Sequence, residues 1–487
     1  MSATANHFTT FAGQAVSTDH FIGGRRVSSV ERFEVITPID GSVIAQIADA
    51  GPDEVELAVQ AAHQAFPAWA ALGAERRAAL LHRLADLIDA NVERLATVEC
   101  ADMAMLLESL RLRVIKRGAM NFRNYADLAV AYEERDWHSR GTWNRVQRMA
   151  AGPAAIITPW NAPFMLSTWK IAPALAAGCT VILKPAEWSP LSCSILADLA
   201  AEAGFPAGVF NVLQGIGERA GAKLVGHPLL RRVSFTGSPQ TARQIGIAAA
   251  ANLTPFTGEL GGKGPLIVFD DADLEAAAAK AAGQYDDAGQ VCLAGTRLLV
   301  QESVREDFLK LFNDFTDRHV IGDPRDPATT ISPMIHPLHT DRVESFVQRA
   351  EAAGDVILRG GRRLGPMTFE PTLIAPASNG AEVVQNEVFG PVLTFQSFTD
   401  EAEAVALANS TRYGLSGIIY TGSMGRADRI GRAVRAGVVW VNTFLVRDLT
   451  APFGGCGISG IGREGGDYAL DFYSDLKTLQ ILDGSVS

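Results

Sequence analysis

The feature that most constrains this chain is an alternation. Short apolar runs bounded by Gly and Pro occur at residues 154–157, 180–183, 209–213, 232–235, 265–268 and 297–300. Runs this short and this apolar read as strands buried on both faces. Between them lie stretches of helical periodicity, at 192–203, 220–225 and 239–250. Strand and helix in strict alternation imply parallel βαβ units, since parallel strands need a crossover that a helix supplies. There are two such tracts, 154–250 and 265–441, so two α/β domains are expected. The length agrees: 487 residues exceed what one hydrophobic core organises. Ahead of the first tract, residues 52–66 open with an acidic turn at Asp53 and Glu54 and continue through Val55, Leu57 and Val59. Residues 75–99 place Leu80, Leu81, Leu84, Leu87, Ile88 and Leu95 at helical spacing and are expected to form one long helix. Residues 132–149, richer in charge and aromatic side chains, and 472–482 are expected to be extended arms outside the core.

Composition narrows the function. The formal net charge is −11 and no basic stripe is present, so nucleic acid is not the expected partner. Five scattered cysteines with no C-x-x-C pair fit neither a disulfide framework nor a structural zinc site. No metal is expected, and reduced thiols point to the cytoplasm. The first twenty residues lack a basic then apolar pattern, so a signal peptide is not expected, nor is any run long and apolar enough to span a bilayer.

Several segments carry groups suited to chemistry. Cys292 stands in the small-residue stretch 289–295, where flanking Gly lets a substrate approach closely. A buried structural thiol explains that stretch equally well on its own. Glu259, among Gly and Leu at 257–263, is a candidate base, because burial brings a carboxyl towards working pH; a surface Glu beside a glycine turn is the plainer alternative. Asn161 lies in the stiff loop Thr158-Pro159-Trp160-Asn161-Ala162-Pro163, from which its amide can donate to a developing oxyanion. Lys184 and Glu187 follow a strand end, where open α/β sheets bind ligands. Ser238 opens a helix, as a pyrophosphate site requires. Two glycine patterns are unsafe guides. Gly215-x-Gly217-x-x-x-Gly221 is one residue too long for the dinucleotide fingerprint, and Gly455-x-Gly457-x-x-Gly460 does not follow a strand.

Taken as a set, these segments resemble the aldehyde dehydrogenase superfamily. The motifs, in order, are Pro159-Trp160-Asn161, Lys184-Pro185-Ala186-Glu187, Phe235-Thr236-Gly237-Ser238, Glu259-Leu260-Gly261-Gly262-Lys263, Gly289-Gln290-Val291-Cys292, Glu387-Val388-Phe389-Gly390-Pro391, and Pro452-Phe453-Gly454-Gly455 with Ser459-Gly460-x-Gly462-Arg463-Glu464. The resemblance spans about residues 21–482. It implies a Rossmann-like NAD-binding domain (1–131 and 151–258), an α/β catalytic domain (259–441, extending to about 471) and a small β oligomerisation arm (132–150 and 472–487). It implies Cys292 as nucleophile through a thiohemiacetal and thioester, Asn161 at the oxyanion and Glu259 as the hydrolytic base. Lys170 and Glu464 match a pair sometimes placed in a proton relay. NAD is the implied cofactor, held by Ile157, Trp160, Lys184, Glu187, Gly217, Phe235, Gly237, Ser238, Glu387 and Phe389. The expected assembly is a homodimer or homotetramer. The chain departs from the family pattern at Ala162, at Gly457 and at Gly258, the last expected to loosen Glu259.

A narrower resemblance lies in residues 441–449 and in Arg117 ahead of Asn121-Phe122. It is to the branch that oxidises muconate-type semialdehydes from aromatic ring cleavage. There Arg117 and Arg447 are expected to grip a substrate carboxylate, as guanidinium forks do. The plainer alternative for Arg447 is an ion pair with Asp448 or another acid. Competing functions are a general dehydrogenase of neutral aldehydes, a CoA-acylating enzyme, against which Glu259 speaks, and a non-catalytic protein of this fold, against which the retained Cys292, Glu259 and Asn161 speak.

Overall fold

The computed structural model describes residues 7–482; the extreme ends of the expected first domain (1–6) and of the second arm (483–487) lie outside the described residues. Three sheets organise the chain. The first has eight strands, in the order Gly460–Ile461, Phe256–Leu260, Arg232–Gly237, Ala154–Ile157, Val181–Lys184, Phe210–Val212, His20–Ile22 and Arg25–Val27. Its five central strands are mutually parallel. The chain starts at Ala154–Ile157, winds outward to Phe210–Val212, then returns to add Arg232–Gly237 on the other side. The strand order therefore reverses between Ala154–Ile157 and Arg232–Gly237, which is where an open sheet leaves a crevice at its C-terminal edge. Helices Pro163–Ala177 and Leu191–Glu202 cover one face and Pro52–Ala70 and Pro239–Ala250 the other, each with its own apolar cluster.

The second sheet has seven strands, in the order Val356–Arg359, Thr372–Ala375, Val392–Phe398, Arg297–Gln301, Pro265–Val268, Ser416–Tyr420 and Val438–Val441, parallel except for the outermost Val356–Arg359. The third sheet is antiparallel: Ser474–Leu482, Thr142–Ala150 and Arg135–Ser139, with Ser474 opposite Ala150 and Leu482 opposite Thr142. The stretches read as extended arms thus pair with each other. No helix of the described residues is long and apolar enough to cross a membrane.

Two expectations need correction. Residues 75–99 are not one helix but two, Ala74–Ala90 and Val92–Met103. Asn91 between them leaves helical dihedrals, and its side-chain amide donates to the Leu87 carbonyl at 2.9 Å, a local bond that competes with the ladder. Secondly, the expected boundary at 258/259 falls inside the strand Phe256–Leu260, which belongs to the first sheet. The chain also comes back to that sheet late: Gly460–Ile461 pairs with Phe256–Leu260, and the helix Gly466–Phe472 buries Ala469 and Leu470 in the first core.

Candidate active site

The two large sheets face the site with opposite ends. The first contributes loops that leave its strands: 158–162 after Ala154–Ile157, and Ser238 after Arg232–Gly237. The second contributes loops that enter its strands: Gly261-Gly262 before Pro265–Val268, Cys292 before Arg297–Gln301, and Glu387–Phe389 before Val392–Phe398. Chain direction is thus shared across the gap, and loops of both units converge there.

The Cys292 loop is reached through three consecutive left-handed residues, Asp287 (φ 53°), Ala288 (φ 54°) and Gly289 (φ 68°). Such backbone is costly outside Gly and persists only where surroundings impose it. Here Gly289 sits directly against the backbone of Gly390, with no room for a Cβ. Gly262 likewise packs on the Cys292 carbonyl, and Gly261 on the Glu387 carboxylate. The Asn161 amide donates to the Gln290 carbonyl at 2.9 Å, tying the first unit's loop to the thiol loop. Burial, with Glu387 and then Glu259 as anionic neighbours, pushes the Cys292 thiol up to about 12, while Arg447 acts the other way. The resting thiol is therefore protonated.

Glu259 is 5% exposed, and neither of its oxygens has a hydrogen-bond partner among the described residues. Burial holds its carboxyl well above the usual range, and the Glu464 charge adds to this. Gly258 does not loosen it. That glycine lies mid-strand opposite Phe235 and Ile461, and Glu259 itself stands opposite Thr236 and Gly460. The backbone of the base is held from both sides.

Lys170 and Glu464 form a buried ion pair, and Lys170 also donates to Ser234 Oγ at 3.0 Å. Ser234 Oγ donates to the same Glu464 oxygen at 3.2 Å, and the indole N–H of Trp169 donates to the other at 2.7 Å. The two residues are thus in direct contact. Trp169 carries no chemical signal of its own in sequence; Ser234 opens the stretch 234–238 read as a pyrophosphate site, and its place beside Glu464 comes from the fold.

The proposed cofactor residues fall into two groups. In the first, Lys184 Nζ donates to Glu187 at 2.9 Å, and Gly217 faces both, 3.8 Å from Lys184 Nζ and 3.9 Å from the Glu187 carboxylate as measured from where its Cβ would stand. Burial works against the Glu187 charge, but Lys184 outweighs it and the carboxyl lies below its ordinary value. Ile157 stands opposite Phe235 in the sheet, the Phe235 ring folds over Gly237, and Ser238 Oγ caps the following helix, accepting from Thr241 N–H at 3.1 Å. In the second group, Glu387 accepts from Gly262 N–H at 2.7 Å, and burial lifts its carboxyl to about 7. Phe389 takes φ 60°, and its carbonyl bonds His339 Nε2 at 2.7 Å. Trp160 lies edge-on to both Phe389 (5.4 Å) and His339 (5.1 Å). His339, and Arg342 that donates to the Glu387 carbonyl at 2.8 Å, support this group and lie on a helix outside every motif.

Arg117 and Arg447 are half-buried and form no ion pair among the described residues. Asp448 is taken by Thr450, whose N–H and hydroxyl donate to it at 2.9 and 2.7 Å, so the ion-pair alternative for Arg447 does not hold. Arg447 lies between the rings of Phe453 (3.8 Å) and Trp169 (5.1 Å), and Arg117 over Trp169 at 5.9 Å. Asn121 fixes Arg117, accepting from its Nε at 3.2 Å while donating to Thr168 at 3.0 Å. Burial, then the neighbouring Arg447, brings Arg117 down to about 10. The two like charges are close enough to oppose each other, and Glu259 and Glu464 act on Arg447 from beyond ion-pair distance.

Residues 26–479 match the model of the aldehyde dehydrogenase family. The chain is 40% identical over 478 residues to 2-hydroxymuconic semialdehyde dehydrogenase of a Pseudomonas species, covering 94% of this chain and 98% of that protein. It is 39% identical to 5-carboxymethyl-2-hydroxymuconate semialdehyde dehydrogenase of Escherichia coli, with 93% and 98% covered. Among solved structures, betaine aldehyde dehydrogenase of Staphylococcus aureus in complex with NAD+ superposes with a TM-score of 0.94 at 36% identity, covering 97% of this chain and 96% of that one.

Proposed function

Because the chain belongs to the aldehyde dehydrogenase family, we propose that it oxidises a carboxylate-bearing semialdehyde from aromatic ring cleavage to the carboxylic acid, with NAD as acceptor. The observation that carries the substrate class is the pair Arg117 and Arg447, partly desolvated and without an acid partner. Two of the relatives named above are hydroxymuconate-type semialdehyde dehydrogenases, which supports the reading.

The residues fit the dinucleotide. Lys184 and Glu187, with the open face of Gly217, offer a donor and a carboxylate to ribose hydroxyls, and Glu187 disfavours a 2′-phosphate. Ser238 N–H at a helix start suits the pyrophosphate. Glu387 and Phe389 would meet the nicotinamide riboside, with Ile157, Trp160, Phe235 and Gly237 lining the crevice. Bound NAD supplies a hydride acceptor.

The remaining chemistry belongs to the chain. The Cys292 thiol passes its proton to solvent, and the thiolate sulfur then attacks the aldehyde carbon. The Asn161 amide, already beside the thiol loop, and the Cys292 N–H donate to the oxyanion. After oxidation a Cys292 thioester remains. Glu259 takes a proton from the water that hydrolyses it, and Lys170 with Glu464 relays that proton away. We place the break between the two units after Leu260. We assign the three-stranded sheet, which stands apart from the two large sheets, to a homodimer or homotetramer. The five unpaired cysteines fit the cytoplasm. The test is a panel of aldehydes of matched length with and without a distal carboxylate, followed by NADH absorbance. Higher kcat/KM for the carboxylated members is expected. Preference for neutral aldehydes overturns the substrate class and leaves the dehydrogenase reading standing.

A further inference from the structure

We propose that Trp169 is a positioning residue that couples the substrate's distal carboxylate to hydrolysis of the acyl-enzyme, its ring face seating Arg117 and Arg447 while its indole N–H orients Glu464. This rests on the reading of those arginines as the carboxylate grip.

The geometry closes on itself. Arg447 is held between Trp169 and Phe453, at 5.1 and 3.8 Å. Phe453 is bonded by its backbone to Glu464 in both directions, at 2.6 and 2.7 Å. Glu464 returns to Trp169 through the indole bond at 2.7 Å. Its other oxygen takes both Lys170 and Ser234, so Trp169 alone among the described side chains fixes the rotation of the carboxylate at Oε2. Glu464 in turn acts electrostatically on Glu259. A guanidinium drawn towards a substrate anion therefore pulls on the ring that aims Glu464. Only tryptophan joins a broad cation-binding face to a donor fixed in the ring plane. Tyr125 meets the ring edge-on at 6.0 Å and limits its tilt.

Two substitutions separate the functions. Trp169→Phe keeps a face and deletes the donor. It should lower kcat about ten-fold and leave a pre-steady-state NADH burst ahead of slow turnover, as loss of a hydrogen bond to a charged group implies. KM for a carboxylated semialdehyde should change less than about three-fold. Trp169→Met removes the face as well while keeping an unbranched apolar chain. It should add about a ten-fold rise in KM for the carboxylated semialdehyde, with the neutral aldehyde of equal length nearly unaffected. Equal losses in kcat and KM for both substrates in both variants would make Trp169 merely structural and overturn the proposal. Arg447→Ala separates it from the reading beneath it. A selective KM rise there without one in Trp169→Met sinks the coupling alone; an unselective loss in Arg447→Ala sinks the substrate reading itself. Should Trp169→Met not fold, wild-type enzyme labelled with fluorotryptophan gives the same decision. The residue 169 resonance, assigned by its absence in Trp169→Phe, should move on saturation with a dicarboxylate and not with its neutral diester. A resonance that stays still refutes the seat.

Discussion

Replacing Arg447 by alanine removes a charge that Glu259 and Glu464 act on only from beyond ion-pair distance. The guanidinium has no acid partner among the described residues and rests between two aromatic rings. The loss breaks no direct ion pair; it relieves repulsion with Arg117 and gives up the longer-range attraction of Glu259 and Glu464. Stability should change by no more than about 1 kcal/mol, the scale of a cation–π contact. Substrate binding carries the rest. A carboxylate about 4 Å from a guanidinium at an effective dielectric constant of about 20 gains about 4 kcal/mol. Desolvating that carboxylate returns part of it, leaving about 2–4 kcal/mol, or about 30- to 1000-fold in KM. A neutral aldehyde of the same length should lose less than about ten-fold. That remainder comes from the field with which Arg447 favours the Cys292 thiolate. Initial rates by NADH absorbance on the two substrates, with a melting curve for each protein, make the comparison. Equal losses on both substrates with an unchanged melting temperature would refute the reasoning.

Other consequences follow from the same carboxylates. Burial and Glu464 hold the Glu259 carboxyl above its ordinary range, so its base form grows as pH rises; wild-type turnover should climb with pH, while Glu259→Gln should give an NADH burst followed by slow, pH-flat turnover in stopped flow. Glu387→Gln removes an anion from beside Cys292, so iodoacetamide should alkylate the thiol about ten-fold faster at pH 8. With the Glu387 carboxyl at about 7, that advantage should vanish by about pH 6. Glu99 is fully buried, accepts from Phe164 N–H at 3.2 Å, and is lifted by burial from 4.5 to about 7. A raised carboxyl contributes stability below its unfolded value and loses it as pH rises through the folded one. Glu99→Gln, which keeps the acceptor, should thus gain about 3 kcal/mol over wild type above pH 7 and nothing near pH 4.5, read by chemical denaturation at both pH values.

Much of this protein was legible in its linear pattern. Apolar runs at 154–157, 232–235 and 265–268 became central strands, because burial on both faces leaves no polar positions in such a strand. Lys184 ends a strand, Glu259 lies within one, and Asn161, Glu187 and Cys292 lie in the loops that leave or enter strands, which are local properties. Glycine spacing also spoke locally: Gly261 and Gly262 are required because Glu387 and Cys292 lie against them. What the linear pattern did not contain is reach across the chain. Trp169, Ser234, His339 and Arg342 lie on ordinary helices and strands, and acquire roles only from residues 45 to 295 positions away. The return of residues 460–472 to the first sheet is equally non-local, since a two-residue edge strand has no periodicity to read. Arg447 shows the division most clearly. Sequence alone left open whether it pairs with Asp448 or serves a substrate. Tertiary structure removed the Asp448 pairing, because Asp448 turns to Thr450 while the guanidinium is carried between Phe453 and Trp169. Local chemistry chose the residue types; the free partner of a charge is a fact about three dimensions, set by which distant surfaces close around it.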